Sequence, residues 1–409
     1  MTESATRERP WWGRTEVAGP WFKVGSDEVR LLRDGVEAFP AMLSAIAAAK
    51  KEILLEMYWV GGDAVGARFR DALARQAKKG ITVRVIYDAV GSLAITHSFW
   101  QNLIDAGGEV REYHPLSPLK ATFELARIEQ RDHRKILVVD GEHGFTGGLN
   151  LARPWLPLED GGDAWRDDMI EVKGACAQEL RTLFYKTWRR MGLRHLATAP
   201  VTALRDPAGA VQGKMLLPPD LVPLSKRPSG RVYVLASLRR SRRNLRREYL
   251  ARINRAKSSI EIANSYFIPD RQVRNALYRA VLRGVKIRVL VPSKSDIAVV
   301  QYALEAMYES LLRHGIEIYS YPGPMMHAKT AIIDDRFATI GSFNLDERSR
   351  SKNLEVNVGV EDEEFATYVR KWFDRDVENA TLIDLYEWRA RPLVRRGIEY
   401  MAYALRKLW

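Results

Sequence analysis

One cysteine, Cys176, stands in a chain of 409 residues. A lone thiol closes no intrachain disulfide and builds no cysteine zinc cluster, so both kinds of staple are excluded. No apolar run reaches the roughly 18 residues that a membrane-crossing helix needs. The opening MTESATRERPWW carries acids and lacks an apolar stretch, so it does not read as a signal peptide. The expectation is a protein of the cytosol, or one held on a membrane face without crossing it. Nucleotide loops are missing as well: there is no Walker loop and no G-x-G-x-x-G placed after a strand. Nor is there a His/Asp/Glu cluster at metal spacing, and neither a cofactor nor a metal is expected.

What is present is globular in balance, with 46% hydrophobic and 28% charged residues. At about 100–200 residues per domain, two domains are expected. Lys and Arg number 64 against 51 Asp and Glu, a net charge of +13. That excess favours an anionic partner (nucleic acid, anionic lipid or a phosphate ester) without choosing among them.

The chain is written twice. HRKILVVDGEHGFTGGLN begins at His133, and HAKTAIIDDRFATIGSFN begins at His327. Both read H-x-K-x-x-x-x-D followed by G-[GS]-x-N, so His133, Lys135, Asp140 and Asn150 recur as His327, Lys329, Asp334 and Asn344. Upstream, AKKEILLEMYWVGGD parallels AKSSIEIANSYFIPD. Each half places an apolar strand (Ile53–Val60, Ile260–Phe267) before a helical pattern (Ala64–Lys79, Arg271–Arg283) and a β-branched strand (Thr82–Ile86, Ile287–Val291). This alternation predicts an α/β fold of two similar halves, each a mainly parallel or mixed sheet flanked by helices, around one shared site. The expected layout is an N-terminal extension 1–31, a first half 32–193, a Pro-rich linker 194–230, a second half 231–380 and a C-terminal segment 381–409. The first half also carries an insertion over Pro115–Arg131 that the second lacks.

Along a strand, residues i and i+2 share a face, so each His and its Lys point the same way. An imidazole beside an ammonium at a strand end suits a phosphate: Lys holds phosphoryl oxygens as a point charge, and His attacks phosphorus or carries a proton near neutrality. Two such sets meeting in one site supply a nucleophile and a proton donor for the leaving alkoxide, with the Lys and Asn donors stabilising the equatorial oxygens. A single half lacks the second imidazole, which gives the duplication a chemical reason. Asp140 and Asp334 close their strands and precede turns, where Asp is common, so a turn role competes with proton transfer.

These motifs resemble the phospholipase D superfamily, and more closely the bacterial cardiolipin synthases, in particular the short type called cardiolipin synthase B. The resemblance runs from about Leu32 to about Phe373. GSFNLDERSRSKNLEVN matches the family's G-S-x-N-L-D-x-R-S-x-x-x-N-x-E-x-N through Asn344, Asp346, Arg348, Ser349, Asn353, Glu355 and Asn357. It implies transfer through a phosphohistidine without nucleotide or metal, joining two phosphatidylglycerols into cardiolipin and releasing glycerol. Carried over, His133 is the nucleophile and His327 the acid, then the base, although the sequence alone does not order them. A carboxylate downstream of each His orients it, which points to Asp167 after His133 and Glu355 after His327. Ser342 is a further donor, present in one half only because the first reads GGLN. The long members of the family carry N-terminal membrane helices, and this chain shows none.

The implied partners are a phospholipid substrate and an anionic membrane surface, with no nucleic acid, on the cytoplasmic side of a bacterial cell membrane; oligomeric state is not legible. The stretch from Asp384 to Trp409 interleaves Arg389, Arg391, Arg395, Arg396, Arg406 and Lys407 with aromatic and aliphatic residues, as an interfacial helix does, and a helix packed on the body fits equally. A basic run over Arg239–Arg255 suits lipid phosphates or a solvated helix face. The insertion suits acyl-chain access or a packed loop. Two rivals share the catalytic residues: a phospholipase D that hydrolyses head groups, and a nuclease.

Overall fold

The computed structural model describes residues 10–13, 18–118, 120, 123–198, 218, 220–221, 224, 230–237 and 244–406. Most of the expected linker, Arg239–Arg243 of the basic run and the terminal Lys407–Trp409 lie outside the described residues.

The first half forms β1 (Phe22–Val24), β2 (Asp27–Arg33), β3 (Glu52–Met57), β4 (Thr82–Asp88), β5 (Glu109–Tyr113), β6 (Lys135–Val139), β7 (His143–Gly147) and β8 (Asp168–Lys173). The second forms β9 (Val232–Ala236), β10 (Ser259–Asn264), β11 (Lys286–Pro292), β12 (Glu317–Tyr321), β13 (Lys329–Ile333), β14 (Phe337–Gly341), β15 (Val356–Val360) and β16 (Thr381–Leu382). Each half is one sheet. The orders are β1-β2-β8-β7-β6-β3-β4-β5 and β16-β12-β11-β10-β13-β14-β15-β9. Setting aside the edge strands β1 and β16, the two orders are the same arrangement. The local causes repeat too: Asp63 and Asp270 each accept two backbone N–H bonds and cap the helix after the first core strand, Ala64–Lys78 and Arg271–Leu282.

Of the two expected forms, mainly parallel or mixed, the sheets are mixed. Parallel pairing is confined to β3–β4–β5 and β10–β11–β12. The remaining pairs are antiparallel, including β6–β7 and β13–β14. The reason is that each H-x-K strand returns through a tight turn, and a tight turn joins only antiparallel neighbours.

β6 and β13 are buried along their whole length. Alternation sends Ile136 and Val138 to an inner core and Leu137 and Val139 to an outer one. The inner core is shared: Ile136, Val138, Ile170 and Val172 pack with Ile332, Ile340 and Val358 of the other sheet. Leu180 and Phe184 of helix Ala175–Thr198 and Phe365 and Val369 of helix Glu363–Glu378 join them. Each buried Val or Ile stabilises by about 1.5–3 kcal/mol, so a cluster of this extent makes the halves one body. The N-terminal aromatics belong to the body as well, Trp11 against Phe39 and Phe22 against Phe365.

Backbone bridges fix the register of half against half. Asp132 pairs with Leu354, and Arg166 pairs with Met326. His133 N–H donates to Leu354 O at 3.0 Å, and His327 N–H to Arg166 O at 2.7 Å.

Candidate active site

The bridges bring the residues just before β6 and β13 and those just before β8 and β15 to one place. There a cavity of about 310 Å³ opens, lined by His133 and His327 together with Asn150, Asn344 and a set of aromatic side chains. Its lining comes from both halves.

Each imidazole is held by a carboxylate of the opposite half. His133 Nδ1 lies 3.0 Å from Glu355 Oε2, and His327 Nδ1 lies 2.8 Å from Asp167 Oδ2. This corrects the sequence-based pairing, in which each carboxylate serves the His upstream of it in its own half. The inter-half bridges are the cause, because they set Leu354–Glu355 beside His133 and Arg166–Asp167 beside His327. With an ionised carboxylate as acceptor, each Nδ1 carries the proton, and Nε2 is left as the available nitrogen.

The two carboxylates differ in how readily they take up a proton. Glu355 also receives Ser342 Oγ–H at 2.5 Å, Ser349 Oγ–H at 2.8 Å and Asn353 Nδ2–H at 3.2 Å. Burial pushes Glu355 up, but His133, Lys135 and Ser342 outweigh it and hold the carboxyl below its ordinary range. Asp167 receives Trp155 Nε1–H at 2.9 Å and its neighbour's backbone N–H at 2.8 Å. There burial wins, against the pull of Lys329, and its pKa rises to about 6. Gly148, the counterpart of Ser342, has no room for a side chain: a Cβ would lie 2.1 Å from Asp167 Oδ1. GGLN against GSFN is therefore a consequence of which carboxylate stands behind it.

Burial lowers both imidazoles. Glu355 opposes the effect at His133, whereas Lys329 and Lys135 deepen it at His327, which falls well below its usual value. Lys135 and Lys329 are fully buried beneath the imidazoles. Lys135 Nζ donates to His133 O at 2.7 Å; Lys329 Nζ donates to His327 O and to Ser265 Oγ, the latter at 2.7 Å. Burial depresses them to about 7 and about 8. Neither is among the residues lining the cavity. Their charge lies behind the imidazoles rather than on the surface a ligand meets. Asn150 Oδ1 accepts from Trp59 N–H at 3.1 Å and Asn344 Oδ1 from Ser265 Oγ–H at 3.0 Å, which leaves both Nδ2 groups as donors toward the cavity.

Asp140 and Asp334 stand apart from this centre, at the far ends of β6 and β13, so of the two roles the sequence leaves open their position fits the turn rather than proton transfer. Asp140 accepts backbone N–H bonds from Lys50, Lys51 and Glu52 at 2.9, 2.7 and 3.0 Å. Asp334 does the same for Lys257, Ser258 and Ser259. Both occupy positive φ, at 54° and 55°. Their geometry is that of turn locks.

Sequence reasoning missed the aromatic wall. The ring of Tyr58 is 4.8 Å from His133, and Trp155 and Trp165 are 5.5 and 5.9 Å from His327. Trp165 sits inside the WRDD that carries Asp167, the one signal available. Among the described residues of the Pro115–Arg131 insertion, none lines this cavity. Arg127 and Gln130 of the insertion line a separate basic groove of about 610 Å³. Among the described residues no group of three or more His, Cys, Asp or Glu is placed to hold a metal ion.

The family described as "Cardiolipin synthase, PLD-like domain" matches residues 42–188 and 249–377, which contain both H-x-K strands. The chain belongs to this family. Cardiolipin synthase 1 of Bacillus anthracis is 33% identical over 371 residues, covering 90% of this chain and 70% of its own length. The major cardiolipin synthase ClsA of Bacillus subtilis is 32% identical over 387 residues, covering 94% and 72%. Among solved structures, a phosphatidylserine synthase of Haemophilus influenzae superposes with TM-score 0.68 at 15% identity, over 99% of this chain and 98% of that one. At that identity the likeness speaks for the fold: two phospholipase D-like halves.

Proposed function

We propose that this cardiolipin synthase family member transfers a phosphatidyl group from one phosphatidylglycerol to the hydroxyl of a second lipid. The carrying observation is the pair of crossed His–carboxylate couples around one cavity. His133 Nε2 attacks phosphorus, and the P–O bond to glycerol breaks. His327, protonated at Nε2 as well when the anionic phosphodiester is bound, delivers that Nε2 proton to the departing alkoxide and is left neutral. It then takes the proton from the incoming hydroxyl as the O–P bond forms and the N–P bond breaks. Glu355, held anionic by its donors, fixes the Nδ1–H tautomer of His133 and balances the charge of the phosphohistidine. Asp167, poised near 6, shares a proton readily with His327. The Asn150 and Asn344 amides and the buried lysine charges stabilise the phosphoryl oxygens.

Access to lipid fits the C-terminal segment, with one change from its sequence reading. Helix Leu393–Ala404 packs on helix Ala298–Arg313, and the arginines at its start are spent on acids: Arg391, just before it, and Arg395 meet Glu305, and Arg396 meets Glu309. The face left in solvent is apolar, with Leu393, Val394, Ile398, Met401 and Leu405 exposed. It adjoins Ile297 and Arg406 at the cavity. This face lies in the bilayer surface and presents the cavity to lipid, peripherally and on the cytoplasmic side. No helix among the described residues is long and apolar enough to cross a membrane.

The test is product analysis. Purified protein in phosphatidylglycerol vesicles is expected to yield cardiolipin and glycerol, and His327→Ala is expected to yield neither. Phosphatidic acid without cardiolipin replaces the proposal with the hydrolase reading, and cleavage of DNA instead replaces it with the nuclease reading.

A further inference from the structure

The proposed reaction, on which this inference rests, brings two phosphates to one site. The donor's phosphorus reacts between the imidazoles. The acceptor reaches that phosphorus with a hydroxyl, while its own phosphodiester stays intact a glycerol's length away. That second anion needs a partner, because an unpaired charge in a partly enclosed cavity is costly.

Apart from the two imidazoles, the cationic side chains lining the cavity are Arg348 and Arg406. Arg348 stands on the short turn after β14, half-buried. Among the described residues no hydrogen bond or ion pair engages its guanidinium, although Arg350 on the same turn is paired with Glu347. The acids lining the cavity have partners of their own: Asp346 caps its turn at Ser349 N–H and feels the nearby charge of Arg348, Glu347 pairs with Arg350, and Asp296 accepts Tyr266 O–H at 2.6 Å. Arg406 approaches from the end of the C-terminal helix and is fixed by its own chain, Nη1 to Tyr403 O at 2.8 Å, with the guanidinium 4.0 Å from the Tyr403 ring. One contact of that kind leaves most of its donors open.

We infer that Arg348, seconded by Arg406, forms a second phosphate subsite that holds the non-reacting phosphodiester of the acceptor lipid. A guanidinium suits this role: its planar fork takes two phosphoryl oxygens at once and keeps its charge at any working pH. The subsite makes a phospholipid a better acceptor than water or a free polyol, which carry no phosphate. It thereby sets the outcome of the shared phosphohistidine, transfer rather than hydrolysis. It also links acceptor choice to the apolar C-terminal helix, whose last turn supplies Arg406.

The experiment follows two acceptors from one donor. Protein in phosphatidylglycerol vesicles is given radiolabelled glycerol. Cardiolipin formation reports the phosphate-bearing acceptor, and label entering phosphatidylglycerol reports the phosphate-free one. Both pass through the same first step. Arg348→Gln is expected to lower cardiolipin formation about tenfold or more, with glycerol exchange falling less than about threefold and phosphatidic acid rising as a share of product. Arg348→Lys is expected to fall between, and Arg406→Gln to shift the same ratio less. Thermal melting of each variant accompanies the rates, so that a folding defect is recognised and the ratio is read only on folded protein. An equal fall in both reactions overturns the inference, since Arg348 then serves the reacting phosphate; no change in the ratio for any of the three variants overturns it too. Wild type that exchanges glycerol yet makes no cardiolipin overturns the proposed function, and the subsite with it.

Discussion

The two halves share a strand order and an H-x-K strand, but they do not give their histidines the same surroundings. The ring of His133 looks onto a glutamate held by two serines, an asparagine and the imidazole itself. That of His327 looks onto an aspartate pressed against a glycine, with a tryptophan N–H for company. One carboxyl is pinned as an anion, and the other titrates near 6. The repeat supplies two matching H-x-K sets; in the proposed reaction the difference in their carboxylates divides the labour between them. Exchange of partners across the interface makes the division indivisible, because neither half holds a complete His–carboxylate couple.

The hardest way to break this comparison is to remove one ring at a time. Alanine at His133 or at His327 is expected to lower cardiolipin formation about a thousandfold or more. The two then part with a donor whose leaving group needs no proton, such as a p-nitrophenyl phosphodiester. His327→Ala is expected to recover release of nitrophenol substantially, and His133→Ala is expected to recover none. Equal recovery removes the distinction between nucleophile and acid.

The lysines come next. Lys135→Met and Lys329→Met are each expected to cost about a hundredfold in kcat/KM. Both are expected to melt no lower than wild type at pH 6. Burial takes Lys135 from 10.5 to about 7. The folded state therefore binds fewer protons than the unfolded state between those values, and wild-type stability rises with pH across that window. Below about 7 the protein carries the whole cost of the buried charge, so the advantage of Lys135→Met is greatest there and fades toward 10. For Lys329 the window opens at about 8. Activity on an anionic phosphodiester follows the opposite sign, falling as pH rises past these values and the charges are lost.

The carboxylates sharpen the contrast. Glu355→Gln is expected to cost about a hundredfold and Asp167→Asn about tenfold, because only the first removes a firm anion. Initial rates on short-chain phosphatidylglycerol distinguish them. The smallest effect belongs to the turn locks. Asp140→Asn and Asp334→Asn are expected to leave kcat within about twofold while lowering stability by about 1–3 kcal/mol in urea unfolding, as lost charged hydrogen bonds do.

Much of this was legible in the chain. The repeat carries the pairing of the halves, and the His of each H-x-K with the downstream Asn names residues that meet at the cavity, because local strand alternation and turn residues are written in short stretches. What stayed hidden depends on contacts between distant segments. Which of the two expected sheet forms is built is settled by the H-x-K strands, which return antiparallel beside β3 and β10. The crossed carboxylates follow from backbone bridges at Asp132–Leu354 and Arg166–Met326, which no spacing along the sequence encodes. That Arg389, Arg391, Arg395 and Arg396 pair with Glu305 and Glu309, rather than standing free for anionic lipid, shows only in the folded chain. Likewise Gly148 looks like a lost serine until Asp167 is found in the space.

The most direct measurement is the mapping of the covalent intermediate. Wild type mixed with short-chain phosphatidylglycerol and quenched in alkaline denaturant, to preserve phosphohistidine, is digested and its peptides sequenced by mass spectrometry. The phosphatidyl adduct is predicted on His133 alone. An adduct on His327, or on both rings, contradicts a division of labour set by Glu355 and Asp167.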